Sequence, residues 1–295
     1  MMNKSVKLGI QGRPDVPPRL FDLVPRYIEK YGYKDCLFAG KVNKQWVKYD
    51  GKKFYEITNS ISYGLLKLGV KKGDRIALIA NNAPEWNMID FAIQQVGAIC
   101  IPIYPTISHD DYKYIFNHSE ASIAFFTNKY LYSKVADIIA DIPTIKETYL
   151  IRASEDMKSL QDLIDLGNEN KDVDTLEARK AEVKNEDVAT IIYTSGTTGT
   201  PKGVMLTHRN ILSIVEYLCP LYPIDETHDA LSYLPLSHIY ERAVQYCPIP
   251  LDISLNIARG LDRIAALPSA TICAWTKIPR RARYSRHSAP TAQRG

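Results

Sequence analysis

Residues able to bind and neutralise a polyanion are concentrated in one stretch, Tyr193-Thr194-Ser195-Gly196-Thr197-Thr198-Gly199-Thr200-Pro201-Lys202-Gly203-Val204, which contains no acid. Glycines let a backbone approach a ligand closely and turn its N–H groups inward. The hydroxyls of Thr194, Ser195, Thr197 and Thr198 add donors, and Lys202 adds a point charge. Two familiar phosphate loops are excluded by spacing. A Walker loop needs Gly-x-x-x-x-Gly-Lys-Ser/Thr, whereas Lys202 is followed by Gly203, and the dinucleotide string Gly-x-Gly-x-x-Gly is absent. The plain alternative for any Gly/Ser/Thr cluster is a flexible surface turn. Elsewhere reactive groups are sparse. None of the six histidines forms a His-Glu-x-x-His or Cys/His set, so no protein metal site is expected. His238, beside apolar residues, reads on general grounds as a satisfied core side chain.

The stretch needs elements to hold it. The apolar run Val188-Ala189-Thr190-Ile191-Ile192-Tyr193 directly precedes it and predicts a buried strand. A strand running into a phosphate-cradling loop is a nucleotide-site arrangement. Upstream, Leu20 to Tyr31 and Tyr49 to Gly69 have apolar residues at helical spacing, with Gly69 as a stop. Strands are expected at Arg75–Ala80, Ala98–Ile103, Ala121–Thr127 and Thr148–Arg152, alternating with helices at Glu85–Gly97, Asp110–His118 and Tyr130–Asp141. Charged residues dominate Glu155 to Glu186, which reads as surface helices. This alternation gives an α/β fold with a mostly parallel sheet flanked by helices, whose ligands bind beyond the carboxyl ends of the strands. Trp86 and Tyr104 are expected in the core.

Composition sets the limits. With 295 residues, 45% apolar and 24% charged, the chain has the make-up of an ordinary globular protein. Its net charge of +4 is unevenly placed: the last acid is Asp262, and residues 1–262 hold 30 bases against 33 acids. A basic end without a basic face gives no support for nucleic-acid binding. Cys36, Cys100, Cys219, Cys247 and Cys273 are odd in number and widely spaced, which fits a reducing cytoplasm better than a disulfide framework. No signal peptide and no membrane-spanning run of apolar residues is expected.

The stretch Thr194–Val204 resembles, position for position, the signature loop of the AMP-forming acyl-activating enzymes. Thr207-His208-Arg209-Asn210-Ile211 follows at the family's usual distance, and Asn81-Asn82-Ala83-Pro84-Glu85-Trp86 and Gly97–Pro105 look like the family's N-terminal half. Leu234-Pro235-Leu236-Ser237-His238-Ile239-Tyr240-Glu241-Arg242 is similar to a segment of the long-chain fatty acid branch. The likeness covers about Leu20 to Ile264.

The resemblance implies an incomplete N-terminal large domain of an adenylate-forming enzyme. A fatty acid and ATP, with Mg²⁺, would give an acyl-adenylate and pyrophosphate, and the thiol of coenzyme A would then displace AMP. Thr194, Ser195, Gly196, Thr197, Thr198, Gly199 and Lys202 would hold the ATP phosphates, and His238 would lie on the substrate side. Glu241 and Arg242 are equally well read as a structural ion pair. Catalysis would be positioning and charge neutralisation without a protein nucleophile. The family's downstream adenine, ribose and hinge segments, and the small C-terminal domain with its lysine, are not found in the sequence. The expected layout is a lead over 1–19, an adenylation-domain part over 20–265 and a basic, disordered or out-of-frame tail over 266–295, which leaves the activity of this chain open. Adenylation of an aryl or amino acid, and a non-catalytic nucleotide-binding fragment, are the alternatives. The expected location is the cytoplasm, with peripheral association at a membrane left open.

Overall fold

In the computed structural model, which describes residues 16–32, 35–42, 45–194, 199–219, 229–250, 252 and 254–257, the chain forms two sheets. The larger follows from alternating apolar runs. Strands β3 (Arg75–Ile79), β4 (Ile99–Pro102), β5 (Ile123–Phe126), β6 (Glu147–Leu150) and β7 (Val188–Thr194) are parallel in the order β6-β5-β3-β4-β7, and β8 (Lys202–Thr207) closes the edge antiparallel to β7. Side chains alternate across the sheet. Ile76, Leu78, Ile123 and Phe125 enter one buried cluster, while Ala77, Ile79, Ala124 and Phe126 enter the other. The smaller sheet has the order β2-β1-β10-β9, with β1 (Phe38–Val42), β2 (Gln45–Tyr49), β9 (Asp229–Ser232) and β10 (Ser254–Ile257). Here β1 and β2 form a hairpin, and β10 pairs parallel to both β1 and β9.

Helix α1 (Leu23–Tyr31) follows a 3₁₀ turn at Leu20–Asp22, and α2 (Gly51–Lys67) starts at the Asp50 cap, whose carboxylate accepts from Lys53 N at 2.7 Å. Every residue of α3 (Pro84–Gln95) is buried, and the helix touches β4 of one sheet and β1 of the other. Several of its polar side chains have partners from elsewhere in the chain, while both side-chain amide atoms of Asn87 are buried without one among the described residues. Arg152 donates to Glu85 at 2.7 Å, Ser62 Oγ donates to Gln95 Oε1 at 2.7 Å, and Arg242 donates to Asp90. Trp86 is fully buried, as expected. Next come α4 (His109–Ser119), α5 (Lys129–Ser133), α6 (Ala136–Asp141), α7 (Leu160–Glu169), α8 (Val173–Glu182), α9 (His208–Leu218) and α10 (Ile239–Tyr246).

The structure departs from the sequence expectations in a few places. Tyr130–Asp141 is two short helices, because Val135 leaves helical geometry at φ −134° and ψ 11°. The hairpin β1–β2, strand β8 and strands β9 and β10 were not anticipated. Asn210 and Thr207 form a reciprocal cap for α9, with N···O distances of 3.1 and 3.0 Å. His208 is buried just inside that cap, where it accepts from Leu20 N and meets Phe21 edge-on. Burial pulls its pKa down to about 3, so the ring is neutral.

Helices α2 and α7 approach through glycine. A Cβ on Gly167 would lie 1.8 Å from Ser60 O, and one on Gly64 would lie 2.5 Å from Leu163 O. Replacing Gly167 by Ala is therefore expected to lower the unfolding free energy by about 1–3 kcal/mol through overpacking. Urea denaturation followed by circular dichroism measures this, and an unchanged midpoint would contradict the close packing.

Candidate functional site

Strand β7 ends at Thr194 and β8 begins at Lys202, and these two residues are register partners. The stretch singled out in the sequence is thus the connection of an antiparallel hairpin closed by a Thr194–Lys202 pair. Thr194, Gly199 and Lys202 are all exposed, while Ser195, Gly196, Thr197 and Thr198 lie outside the described residues. Gly199 has φ +85°, in the left-handed region that favours glycine. Gly203 faces Tyr193 across the pair: a Cβ there would sit 2.9 Å from Ile191 Cγ2 and 3.3 Å from the Tyr193 ring. Among the described residues no carboxylate pairs with the Lys202 ammonium, so its charge is available to a ligand.

The strand under the connection is anchored on two sides. Tyr193 OH meets His118 Nδ1 of α4 at 2.7 Å, and partial burial pushes the phenol up to about 12. Four residues before Thr194, the fully buried Thr190 donates to Cys100 O of β4 at 2.7 Å and accepts from Arg242 Nη1 at 2.5 Å. Arg242 Nη2 donates to Asp90 Oδ1, Tyr246 OH donates to Asp90 Oδ2 at 2.6 Å, and neither charged side chain is exposed at all. The neighbouring carboxylate holds the guanidinium firmly protonated against its burial.

A second group of residues gathers at the carboxyl ends of β3 and β4. The buried Asn82 donates from Nδ2 to Leu234 O at 2.6 Å and accepts at Oδ1 from Leu236 N at 3.0 Å, so one side chain fastens the 234–238 segment to the sheet. Beside it lies a cleft of about 160 Å³ lined by Asn81, Asn82, Tyr104, Thr106, Tyr233 and Ser237 among others. Tyr104 is therefore a half-buried cleft residue, correcting its expected place in the core, because the chain turns outward after β4. His238 is exposed and not a core side chain. It caps α10, its Nδ1 accepting from Tyr240 N at 3.2 Å.

Glu241 and Arg242 do not pair with each other. Arg242 pairs with Asp90, and Glu241 accepts from Tyr233 N at 3.1 Å. Glu241 is 1% exposed and its Oε2 has no partner among the described residues. Burial raises the carboxyl to about 7, offset in part by the Tyr233 N–H and the nearby Ser232 hydroxyl. Asp90 and Asn82 were missed as site residues. The available signal was an acid among Trp86, Met88, Ile89, Phe91 and Ile93, since a charge in an apolar helix needs a buried partner.

An α/β body with a hydroxyl- and glycine-rich hairpin connection at its strand ends is a layout shared by nucleotide-binding enzymes. The family model for AMP-binding enzymes matches residues 26–276, and the chain belongs to that family. The match reaches further toward the carboxyl end than the Ile264 limit of the resemblance. Among its relatives, the long-chain-fatty-acid–CoA ligase FadD15 of Mycobacterium bovis is 36% identical over 203 residues, covering 68% of this chain and 34% of that protein. The peroxisomal long chain acyl-CoA synthetase 7 of Arabidopsis thaliana is 32% identical over 241 residues, covering 75% and 33%. A solved long-chain-fatty-acid–CoA ligase, FadD1 of Archaeoglobus fulgidus, superposes with a TM-score of 0.72 at 23% identity over 88% of this chain and 51% of that one. This chain thus spans about a third of the length of these curated relatives.

Replacing Glu241 by Gln keeps the acceptor for Tyr233 and removes the titration. A raised folded-state pKa favours the native protein below the unfolded value of about 4.5, and that advantage is lost as pH rises through about 7. E241Q should therefore match the parent at pH 4.5 and exceed it by on the order of 2 kcal/mol at pH 8. Denaturant unfolding at the two pH values checks this, and a pH-independent difference would contradict it.

Proposed function

We propose that this chain supplies the ATP phosphate-binding part of a long-chain fatty acid–CoA ligase. The reaction joins a fatty acid to the α-phosphorus of ATP, releases pyrophosphate, and passes the acyl group from AMP to the thiol of coenzyme A. One observation carries this: the hairpin connection Thr194–Lys202 contains no acid and holds an ammonium without an ion-pair partner among the described residues. It stands at the carboxyl edge of the parallel sheet, where ligands of such sheets bind. The family match and the named relatives support the choice of reaction.

Thr194, Ser195, Gly196, Thr197, Thr198 and Gly199 would cradle the β- and γ-phosphates, and Lys202 would offset their charge. Charge on the phosphates rises as the α-phosphorus is attacked, so preformed donors there favour the transition state. Among the described residues no three His, Cys, Asp or Glu side chains stand close enough to hold a metal. Mg²⁺ carried in on the nucleotide phosphates would neutralise further charge there. His238, exposed at the cap of α10 and next in sequence to Ser237 of the cleft, would face the acyl substrate. The working unit would be residues 20–265, with 1–19 as a lead and 266–295 as a basic tail. No described helix is long and apolar enough to cross a membrane. The proposed place of work is the cytoplasm, with the acid met at a membrane surface.

Calorimetry of the 295-residue chain with Mg²⁺ and ATP tests the assignment. Saturable binding is expected, and Lys202→Met should weaken it tenfold or more, on the order of one charge-assisted hydrogen bond. A parent chain that ignores ATP, or a K202M variant that binds equally well, would reject the phosphate loop. Palmitate-dependent exchange between pyrophosphate and ATP, absent with benzoate and amino acids, tests the substrate class separately.

A further inference from the structure

Resting on the phosphate-loop assignment above, we propose that Arg242 is a positioning residue for that loop: through the Thr190 hydroxyl it pins the strand bearing the loop and couples it to the helix that His238 caps. The strand needs a pin. On its parallel side β7 joins β4 through the register pair Cys100↔Thr190, and on its other side the pairing with β8 shifts between Val188 and Thr190. Lateral attachment to the parallel sheet is thus concentrated at Thr190, four residues from the start of the loop.

At that residue the side chain repeats the connection made by the backbone. The hydroxyl donates its one proton to Cys100 O and uses a lone pair for Arg242 Nη1. This arrangement fixes the hydroxyl rotor and leaves no alternative partner, since Thr190 is fully buried. Arg242 is itself immobilised by Asp90, and its guanidinium lies over the Trp86 ring, 5.5 Å from the centroid. Its backbone N–H makes the ordinary helical bond to His238 O at 3.1 Å in the first turn of α10. One rigid side chain, rooted in the first turn of the helix that His238 caps, therefore ties that helix to the strand under the candidate phosphate loop. Stability alone does not call for this design, because well-packed apolar residues commonly replace a buried ion pair without loss. A planar fork with fixed donor directions does what an apolar cluster cannot: it sets the distance and angle between two elements.

The test uses the full chain with Thr190→Val, Thr190→Ser and Arg242→Lys. T190V removes only the hydroxyl and leaves the Asp90–Arg242 pair in place, while T190S keeps the hydroxyl. Hydrogen–deuterium exchange of peptides covering 191–207 is expected to speed up about tenfold in T190V and R242K, with exchange elsewhere unchanged. ATP affinity should fall about tenfold in both, and T190S should stay within about twofold of the parent on both readouts. A folded T190V with parental exchange and affinity overturns the proposal. So does a T190V chain that fails to fold, since the hydroxyl then serves stability alone. If R242K does not fold, T190V decides. If the parent does not bind ATP, the phosphate-loop assignment fails, and the exchange readout still decides whether Arg242 and Thr190 restrain this segment.

Discussion

Asp90 and Arg242 form an ion pair to which water has no access, at the junction of α3, β7 and α10. Two charges brought out of water are tolerated only with close geometry and further hydrogen bonds, and losing one partner of such a pair typically costs about 3–5 kcal/mol. Here the extra bonds come from Tyr246 and Thr190, so the pair demands that α3, α10 and β7 meet at one point. That demand explains why α3 is buried along its whole length despite its polar residues. Each of Glu85, Asp90 and Gln95 has a partner from a different part of the chain, and the helix sits where all three can be reached together.

The larger sheet was legible in the sequence because its strands obey a simple rule. Runs such as Arg75–Ala80 and Ala121–Thr127 are apolar on both faces, and each lies between amphipathic segments, a pattern with few other solutions. The smaller sheet was not legible. Gln45–Tyr49 has no apolar run, and β10 pairs with β1 across more than two hundred residues, a relation no local pattern encodes. Strand β8 hid for a similar reason: its residues are mostly exposed, and what makes it a strand is the neighbouring β7 rather than its own composition.

The candidate site divides along the same line. Hydroxyls, glycines and Lys202 advertise themselves by type and spacing. The residues that hold them in place do not, because their meaning is relational. Arg242 in a Glu-Arg dipeptide reads as the partner of its neighbour Glu241 until Asp90, on a helix far upstream, is found against it. Asn82 looks like a turn residue until both ends of its amide are seen to grip the 234–236 backbone.

The pairing of β1 with β10 has a consequence for how the chain folds. The described strands of the large sheet are all present by residue 207, so they can assemble while the chain is still being made. The small sheet has to wait for residues 254–257, and until then the hairpin β1–β2 has an open side. Closing so long a loop late makes this sheet the slow, high-contact-order step of the fold. A ribosome that has passed residue 207 but not residue 254 thus carries every described strand of the large sheet and an unfinished edge that needs shelter from neighbouring chains.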